Sequence, residues 1–307
     1  MQMQSRFRSD RRLTARMGVT LFLLGLLYVA FVAALIVLLK SWILVVVLAA
    51  GLLLAQYWFS DRVALYAMHG RVVEREEYPE LHGVVDRLCA QADMPKPVVA
   101  VSNMDMPNAF ATGRNPDHAV LCVTTGLLRR LEPGELEGVL AHELSHVAHK
   151  DVAVITVASF LGVLAGLMVR FAFYSQLFRG RKDQNTLVIF AGVMGVSAVV
   201  YALSFLLIRA LSRYRELAAD RAAAQLTGRP SELASALTKV TGEIARIPTK
   251  DLRTAQAFNA FFFTPALGAQ PGITRLFSTH PSLEQRLEQL SRMSVELGEA
   301  TAPGKAA

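Results

Sequence analysis

One short run in the sequence has residue types and a spacing that suit a metal site: His142-Glu143-Leu144-Ser145-His146. On a helix, histidines four residues apart point from the same face, so both imidazoles can reach one Zn²⁺. Glu143 lies beside them, where a carboxylate can act on a water molecule. The composition gives this pattern about a one-in-a-hundred chance of arising at random. The run therefore indicates a zinc hydrolase, but it supplies only two ligands.

A catalytic zinc needs a third protein ligand and one open position for water or substrate. Glu216 is the best candidate, because it follows one apolar run within about two helical turns. The histidine pair likewise precedes another apolar run by about one or two turns. Two membrane crossings would return the chain to the same side. Asp220 shares the predicted helix face of Glu216 and is suited to orienting a ligand histidine. The alternative is an exposed helix face whose carboxylates pair with nearby arginines, and spacing alone leaves both open.

Apolar runs separate these candidates and predict a membrane protein. Hydrophobic residues make up 53% of the 307-residue chain and charged residues only 19%. Between Met17 and Phe59 the only charge is Lys40, and a single helix over that stretch would exceed the hydrocarbon core about twofold. We therefore predict a turn at Lys40 and four spans, at about 17–39, 41–60, 152–178 and 187–208. A signal peptide for the first run, and a buried hairpin for the last two, are the alternatives.

The net charge of +7 favours membrane topology signals over nucleic-acid binding, because no basic patch with interleaved aromatic residues is present. Lysine and arginine are richer on the side that holds both termini and the 61–151 segment. That side is predicted to be cytoplasmic. The two cysteines, Cys89 and Cys122, lack the Cys-x-x-Cys spacing of a zinc site.

The soluble parts predict a mainly α, α+β architecture with a small β-sheet. Val98–Ser102 and Ala119–Thr124 have the β-branched composition of strands, and Asn108–Thr112 is a possible third. Helices are expected to begin near Pro79 and at Pro133, where proline and acidic residues mark a first turn. The predicted domains are 1–60 (tail and spans 1–2), 61–151 (catalytic block), 152–209 (spans 3–4) and 210–307 (helical block with the third ligand and a disordered tail).

Three motifs together resemble the HtpX-type membrane metallopeptidases, which are relatives of the CAAX prenyl endopeptidases. They are Ala141-His142-Glu143-Leu144-Ser145-His146-Val147, Asn108-Ala109-Phe110-Ala111-Thr112-Gly113 and Ser212-Arg213-Tyr214-Arg215-Glu216-Leu217-Ala218-Ala219-Asp220. The resemblance also includes four spans and a late His280-Pro281, and it covers nearly the whole chain. One departure is Leu217, where an aromatic residue usually follows the ligand glutamate, which puts local packing in doubt more than catalysis.

The resemblance implies a gluzincin site with one Zn²⁺ on His142, His146 and Glu216, and Glu143 as the catalytic residue. It also implies protein quality control at the bacterial inner membrane, acting on misfolded or damaged membrane proteins. A catalytically inactive scaffold with a structural zinc is the rival hypothesis. Neither the resemblance nor the composition indicates an oligomeric state.

Several further residues are candidates for the reaction. The oxyanion of a tetrahedral intermediate needs a donor, and His280, with Arg215 behind it, is our candidate. A helix cap before Pro281-Ser282 is an equally good interpretation of His280. Asn108, Ala109 and Phe110 are predicted to lie on an edge strand that binds extended substrate backbone, although an ordinary sheet strand fits as well.

Overall fold

The computed structural model describes residues 11–39, single helical positions between 43 and 66, and residues 68–149, 184–246 and 281–299. In chain order the elements are α1 (Arg11–Leu39), β1 (Gly70–Val72), α2 (Pro79–Ala92), β2 (Val98–Ser102), β3 (Ala109–Gly113), a 3-10 turn (Pro116–His118), β4 (Ala119–Thr124), α3 (Thr125–Arg130), α4 (Pro133–Ala148), α5 (Gln184–Thr227), α6 (Pro230–Arg246) and α7 (Leu283–Glu296). They fall into two compact units, one from Asp61–Val152 and Ser212–Ala307, the other from Arg11–Ser60 and Ala153–Leu211. The four-part domain division stays a prediction.

The four strands form one mixed sheet in the order β1-β2-β4-β3. β2 and β4 run parallel, with Val98 opposite Val120, while β1 and β3 add as antiparallel outer strands. β3 is therefore an edge strand, and no described strand pairs with its outer side. An edge strand keeps backbone groups available for a further extended chain.

Both faces of the sheet are covered. Val99, Val101, Leu121 and Val123 belong to the main core, together with apolar residues of α2 and α4. A smaller cluster on the other face contains Ala64, Met68, Ala100, Phe110, Val120 and Cys122. Burial on both faces explains why the central strands have nearly continuous apolar sequences.

Helix α4 carries the His142–His146 run and is buried along most of its length. Its first turn contains Pro133, and a capping box joins Glu132 to Glu135, whose carboxylate accepts the Glu132 N–H at 2.9 Å. Glu135 is buried as well, and Lys239 of α6 lies 2.7 Å from its carboxylate. These contacts fix the start of α4 and hence the direction in which its later side chains point.

Helix α5 is continuous over 44 residues. Between Gly195 and Gly228 the sequence has no glycine or proline, so no residue there interrupts the helix. Gly228 then adopts a φ of +68°, and Pro230 begins α6. The fourth membrane span is predicted to end near residue 208, but the helix that contains it continues to Thr227.

In the described part of the chain, two helices are long and apolar enough to cross a membrane, Arg12–Val37 within α1 and Ala191–Thr227 within α5. Leu24, Phe31 and Leu35 of α1 form one apolar cluster with residues of α5, including Val193 and Val200. These helices correspond to the first and fourth predicted spans. The second span falls largely, and the third wholly, on residues outside the described part of the chain. A mostly helical protein with a small mixed sheet is confirmed, while the count of four spans stays a prediction.

The strand predictions are confirmed at Val98–Ser102 and Ala119–Thr124. The third strand begins and ends one residue later than predicted, at Ala109–Gly113. The three-residue strand β1 (Gly70–Val72) is not apparent from the sequence pattern, because it is too short to show an alternation.

Candidate metal centre

The polar residues in the second half of α4 are nearly as deeply buried as the apolar ones around them. The exposed fractions are 1% for His142, 5% for Glu143 and 6% for His146. Burying such groups costs free energy unless they find hydrogen-bond, ionic or metal partners. A buried polar face on a core helix therefore indicates a site built for binding.

Helix α5 brings two carboxylates to the same place. Glu216 and Asp220 are four residues apart and thus share a helix face, with exposed fractions of 4% and 0%. The alternative of an exposed face that pairs with surface arginines is wrong, because both carboxylates are buried against α4 residues. The second half of the site therefore comes from a helix that begins 36 residues after α4 ends.

Three side chains converge with the spacing of ligand atoms. Nε2 of His142 lies 3.5 Å from Oε2 of Glu216, and Nε2 of His146 lies 3.6 Å from Oε1 of the same residue. One ligand atom from each of the three residues fits within 4.8 Å of the others. Two donors about 2.1 Å from one tetrahedral metal lie roughly 3.4 Å apart. The donor set of two imidazoles and one carboxylate fits a zinc ion.

Asp220 contacts the far side of the first histidine. Its Oδ1 accepts a hydrogen bond from Nδ1 of His142 at 2.9 Å, which leaves Nε2 facing Glu216. Burial lowers the pKa of His142, but hydrogen bonds to Asp220 and Glu216 outweigh burial and raise it to about 9. Burial is the largest influence on Asp220 and opposes its ionisation, but the charges and hydrogen bonds of Arg286 and His142 together hold the pKa of that carboxyl below its usual range.

Arg286 of α7 is a residue of the site that no sequence pattern indicated. It is 1% exposed, and its Nε and Nη2 donate to the two carboxylate oxygens of Asp220 at 2.8 and 2.6 Å. His280, a candidate from the sequence, precedes it by six residues, but Arg286 itself resembles any arginine on an amphipathic helix. Only the depth of burial distinguishes it.

The predicted second arginine, Arg215, lies beside the other histidine. Its Nη2 is 3.4 Å from Nδ1 of His146, and the side chain is largely buried. Guanidinium groups have donors but no acceptor, so Arg215 cannot orient His146 as Asp220 orients His142. Its predicted role behind an oxyanion donor stays a prediction. His280 lies outside the described residues.

Glu143 points towards the edge strand. Its Oε2 accepts a hydrogen bond from the backbone N–H of Ala111 at 3.2 Å. Burial raises the pKa of Glu143 to about 7; the charge of His142 opposes this rise, and that of Glu216 adds to it. The carboxylate is therefore held against β3, within range of the charges of His142 and Glu216.

The pairing of β3 with β4 shows which backbone groups are available at the edge. The N–H of Thr124 donates to the carbonyl of Asn108 at 2.9 Å, so the Asn108 carbonyl faces β4. Because orientation alternates along the strand, the peptide groups of Phe110 also face β4, and those of Ala109 and Ala111 face the open edge. The side chain of Phe110 is buried in the smaller cluster.

Comparisons with known proteins agree with one another. The model for the family described as Peptidase family M48 matches residues 75–294. Protease HtpX homolog 1 of Streptomyces coelicolor is 85% identical over 304 residues, which cover 99% of this chain and 100% of that protein. Protease HtpX homolog of Moorella thermoacetica is 52% identical, covering 97% of this chain and 99% of that one. The crystal structure of S. mikatae Ste24p aligns with a TM-score of 0.50 and 18% identity, covering 91% of this chain and 66% of that one, which is a likeness in fold.

Proposed function

Because the chain belongs to peptidase family M48, as an HtpX-type membrane metalloprotease, we propose that it is a zinc-dependent endopeptidase of the bacterial inner membrane. Its substrates are misfolded or damaged membrane proteins, and its role is protein quality control. The observation that carries the zinc site is the approach of Glu216 to both His142 and His146, with Glu143 beside them. Names of the relatives support a protease, and the apolar helices support a substrate that reaches the site near a bilayer.

His142, His146 and Glu216 would hold the zinc ion, one per chain. When bound, zinc supplies a Lewis acid that polarises a carbonyl group and lowers the pKa of water. Three protein ligands leave the fourth position open, as a catalytic site requires. Asp220 keeps His142 in the tautomer whose Nε2 carries the free lone pair.

Glu143 is the proposed general base. It accepts a proton from the attacking water and later donates it to the leaving amine. The Ala111 N–H directs one oxygen of the carboxylate and so fixes the direction in which the other points. A base held in place in advance requires no rearrangement when substrate binds.

Substrate backbone is proposed to bind along β3 as an additional strand. Of the predicted residues Asn108, Ala109 and Phe110, the peptide groups of Ala109 face the open edge. The carbonyl of Ala111 faces the same way, while its N–H is bonded to Glu143. Backbone pairing recognises any extended segment, so this binding mode suits a protease that acts on unfolded chains. His280 remains the proposed oxyanion donor, and Arg215 is proposed to act behind it.

The sequence supports a site close to the membrane, because Glu216 follows the fourth predicted span, which ends near residue 208, within about two helical turns. The apolar runs support four spans, and the distribution of lysine and arginine supports placing the site and both termini in the cytoplasm.

The proposal is tested with Glu143→Gln in the full-length protein, reconstituted with zinc in detergent. We expect one bound zinc per chain, as in the wild type, and no cleavage of an unfolded polypeptide such as casein. An active variant would exclude Glu143 as the base. A wild-type protein that holds zinc but cleaves no unfolded substrate would favour the inactive scaffold.

A further inference from the structure

Helix α7 places one charged side chain inside the metal centre. This residue lies far along the chain from the other residues of the site, so no local sequence pattern predicts the contact. Arg286 lies in the first turn of α7 and is 1% exposed, which makes it the largest of the side chains buried below 2% in the described part of the chain. Its guanidinium reaches Asp220, 66 residues earlier on α5. Burying an arginine costs free energy because its charge loses contact with water, so a buried arginine needs a specific charged or hydrogen-bonding partner.

The contact between Arg286 and Asp220 has the geometry of a two-point clamp. Nε donates to Oδ2 at 2.8 Å and Nη2 donates to Oδ1 at 2.6 Å. Two parallel hydrogen bonds fix the plane of the carboxylate as well as its position. A single-point donor such as lysine could hold the position but would leave the plane free to rotate.

The fixed plane matters because Oδ1 of Asp220 has a second partner. It accepts from Nδ1 of His142 at 2.9 Å, so the same oxygen lies between the guanidinium and the imidazole. The orientation of the imidazole therefore depends on the orientation of the carboxylate. Since Nε2 of His142 is the atom that faces Glu216, a rotation of the carboxylate would move a candidate ligand atom.

From these contacts we infer that Arg286 is a positioning residue of the metal centre, which acts through Asp220 to hold His142 in its ligand orientation. Nη1 of Arg286 also lies 4.0 Å from Oε2 of Glu216, and Nη2 lies 3.5 Å from Nδ1 of His142, so the guanidinium borders two of the three proposed ligands. The nearby contact between Gln289 and the Leu217 carbonyl, at 2.7 Å, keeps α7 in register with α5. The C-terminal helix is thus part of the metal site, although it supplies no ligand.

The inference rests on the proposed zinc site and is tested by metal affinity. Full-length protein carrying Glu143→Gln, which prevents self-cleavage, is compared with and without Arg286→Lys by competition against a chelator. We expect the dissociation constant for zinc to rise roughly 10- to 100-fold, as for other changes behind a ligand histidine. The visible spectrum of the Co²⁺-substituted protein should change as well, because the ligand field changes.

The matched control is Arg292→Lys on the same helix. Arg292 is a largely exposed residue that pairs with Glu288 at 2.5 Å, so both the zinc affinity and the cobalt spectrum should stay as in the parent. Unchanged zinc affinity and cobalt spectrum in Arg286→Lys would overturn the inference. A parent protein that binds no zinc would instead refute the proposed function, so the two failures are distinguishable.

A second variant addresses a purely structural role. Replacing the ion pair together, as Asp220→Asn with Arg286→Met, avoids leaving one buried charge alone. We expect this protein to fold, with far-ultraviolet circular dichroism like that of the parent, but to bind zinc at least tenfold more weakly. Adding Arg286→Met to Asp220→Asn should weaken zinc binding little further, because Arg286 acts through Asp220. Parent-like zinc affinity in the double variant, or equal and additive losses from the two changes, would contradict the inference.

Discussion

The carboxylate of Glu143 accepts a hydrogen bond from the backbone N–H of Ala111, 3.2 Å away, across the junction between α4 and the edge strand β3. The N–H is available because the peptide groups of Ala111 face away from β4. The strand proposed to bind substrate therefore also holds the proposed base. A change to one backbone atom of β3 should affect catalysis without touching a metal ligand.

Ala111→Pro removes that N–H and leaves the pairing of β3 with β4 intact, since prolines are tolerated on the outer side of an edge strand. We expect kcat to fall about 100-fold, the scale of a misplacement of about 1 Å in a reacting group. Zinc content should stay at one per chain. Ala111→Gly keeps the N–H and is the matched control, expected to keep most of the activity. A proline variant with the kcat of the wild type would show that Ala111 does not position Glu143.

Zinc affinity should depend on pH through His142. Without metal its pKa is raised to about 9, so at neutral pH a proton must leave before Nε2 can bind zinc. This proton is bound to His142 below the folded pKa and is lost as pH rises through that pKa. We expect the dissociation constant to fall about tenfold per pH unit between about 6.5 and 9. Chelator competition at several pH values, corrected for protonation of the chelator, measures this; a flat profile would contradict it.

The loop before β3 rests against Gly126 so closely that a side chain there cannot fit. An added Cβ would lie 2.0 Å from the carbonyl oxygen of Asp105 and 3.0 Å from that of Met104. Gly126→Ala should therefore destabilise the fold by about 1–3 kcal/mol. Gly83→Ala in α2 is the control, because nothing lies within 4 Å of its Cβ position, and we expect a stabilisation of up to about 1 kcal/mol. When thermal unfolding is measured in detergent, only Gly126→Ala should have a lower midpoint temperature than the parent. A parent-like midpoint for Gly126→Ala would mean that the loop moves to make room for the added methyl group.

The orientation in the membrane is tested at the C-terminus. A reporter fused after residue 307 should be active only in its cytoplasmic form, because the arginine-rich flanks lie on the same predicted side. The matched fusion places the reporter after residue 180, in the loop predicted on the opposite side, and should report the periplasm. A periplasmic signal from the full-length fusion would invert the proposed topology.

Much of the fold was predictable where a local pattern decides the structure. The strands Val98–Ser102 and Ala119–Thr124 are short apolar, β-branched runs, and α4 begins at a proline followed by acidic residues. The grouping of His142, His146 and Glu216 was expected from a histidine spacing and from counting membrane crossings. Their roles as ligands stay predictions until a metal is measured.

The rest depends on contacts between residues distant in sequence. Arg286 pairs with Asp220 across 66 residues, and an arginine in an amphipathic helix is usually exposed, so no local rule distinguishes it. The peptide direction of Ala111 depends on the register between β3 and β4, and a shift of one residue would reverse it. Such features follow from packing, which composition and periodicity do not fix.

Glu216 is proposed to complete the zinc site begun by His142 and His146. The decisive measurement is the zinc affinity of Glu216→Gln in the full-length Glu143→Gln background, determined by chelator competition with zinc content counted per chain. We predict one zinc in the background protein and a loss of affinity of more than about 100-fold when Glu216 is also changed, because a ligand is removed. An unchanged zinc affinity in a folded double variant would show that Glu216 is not a zinc ligand.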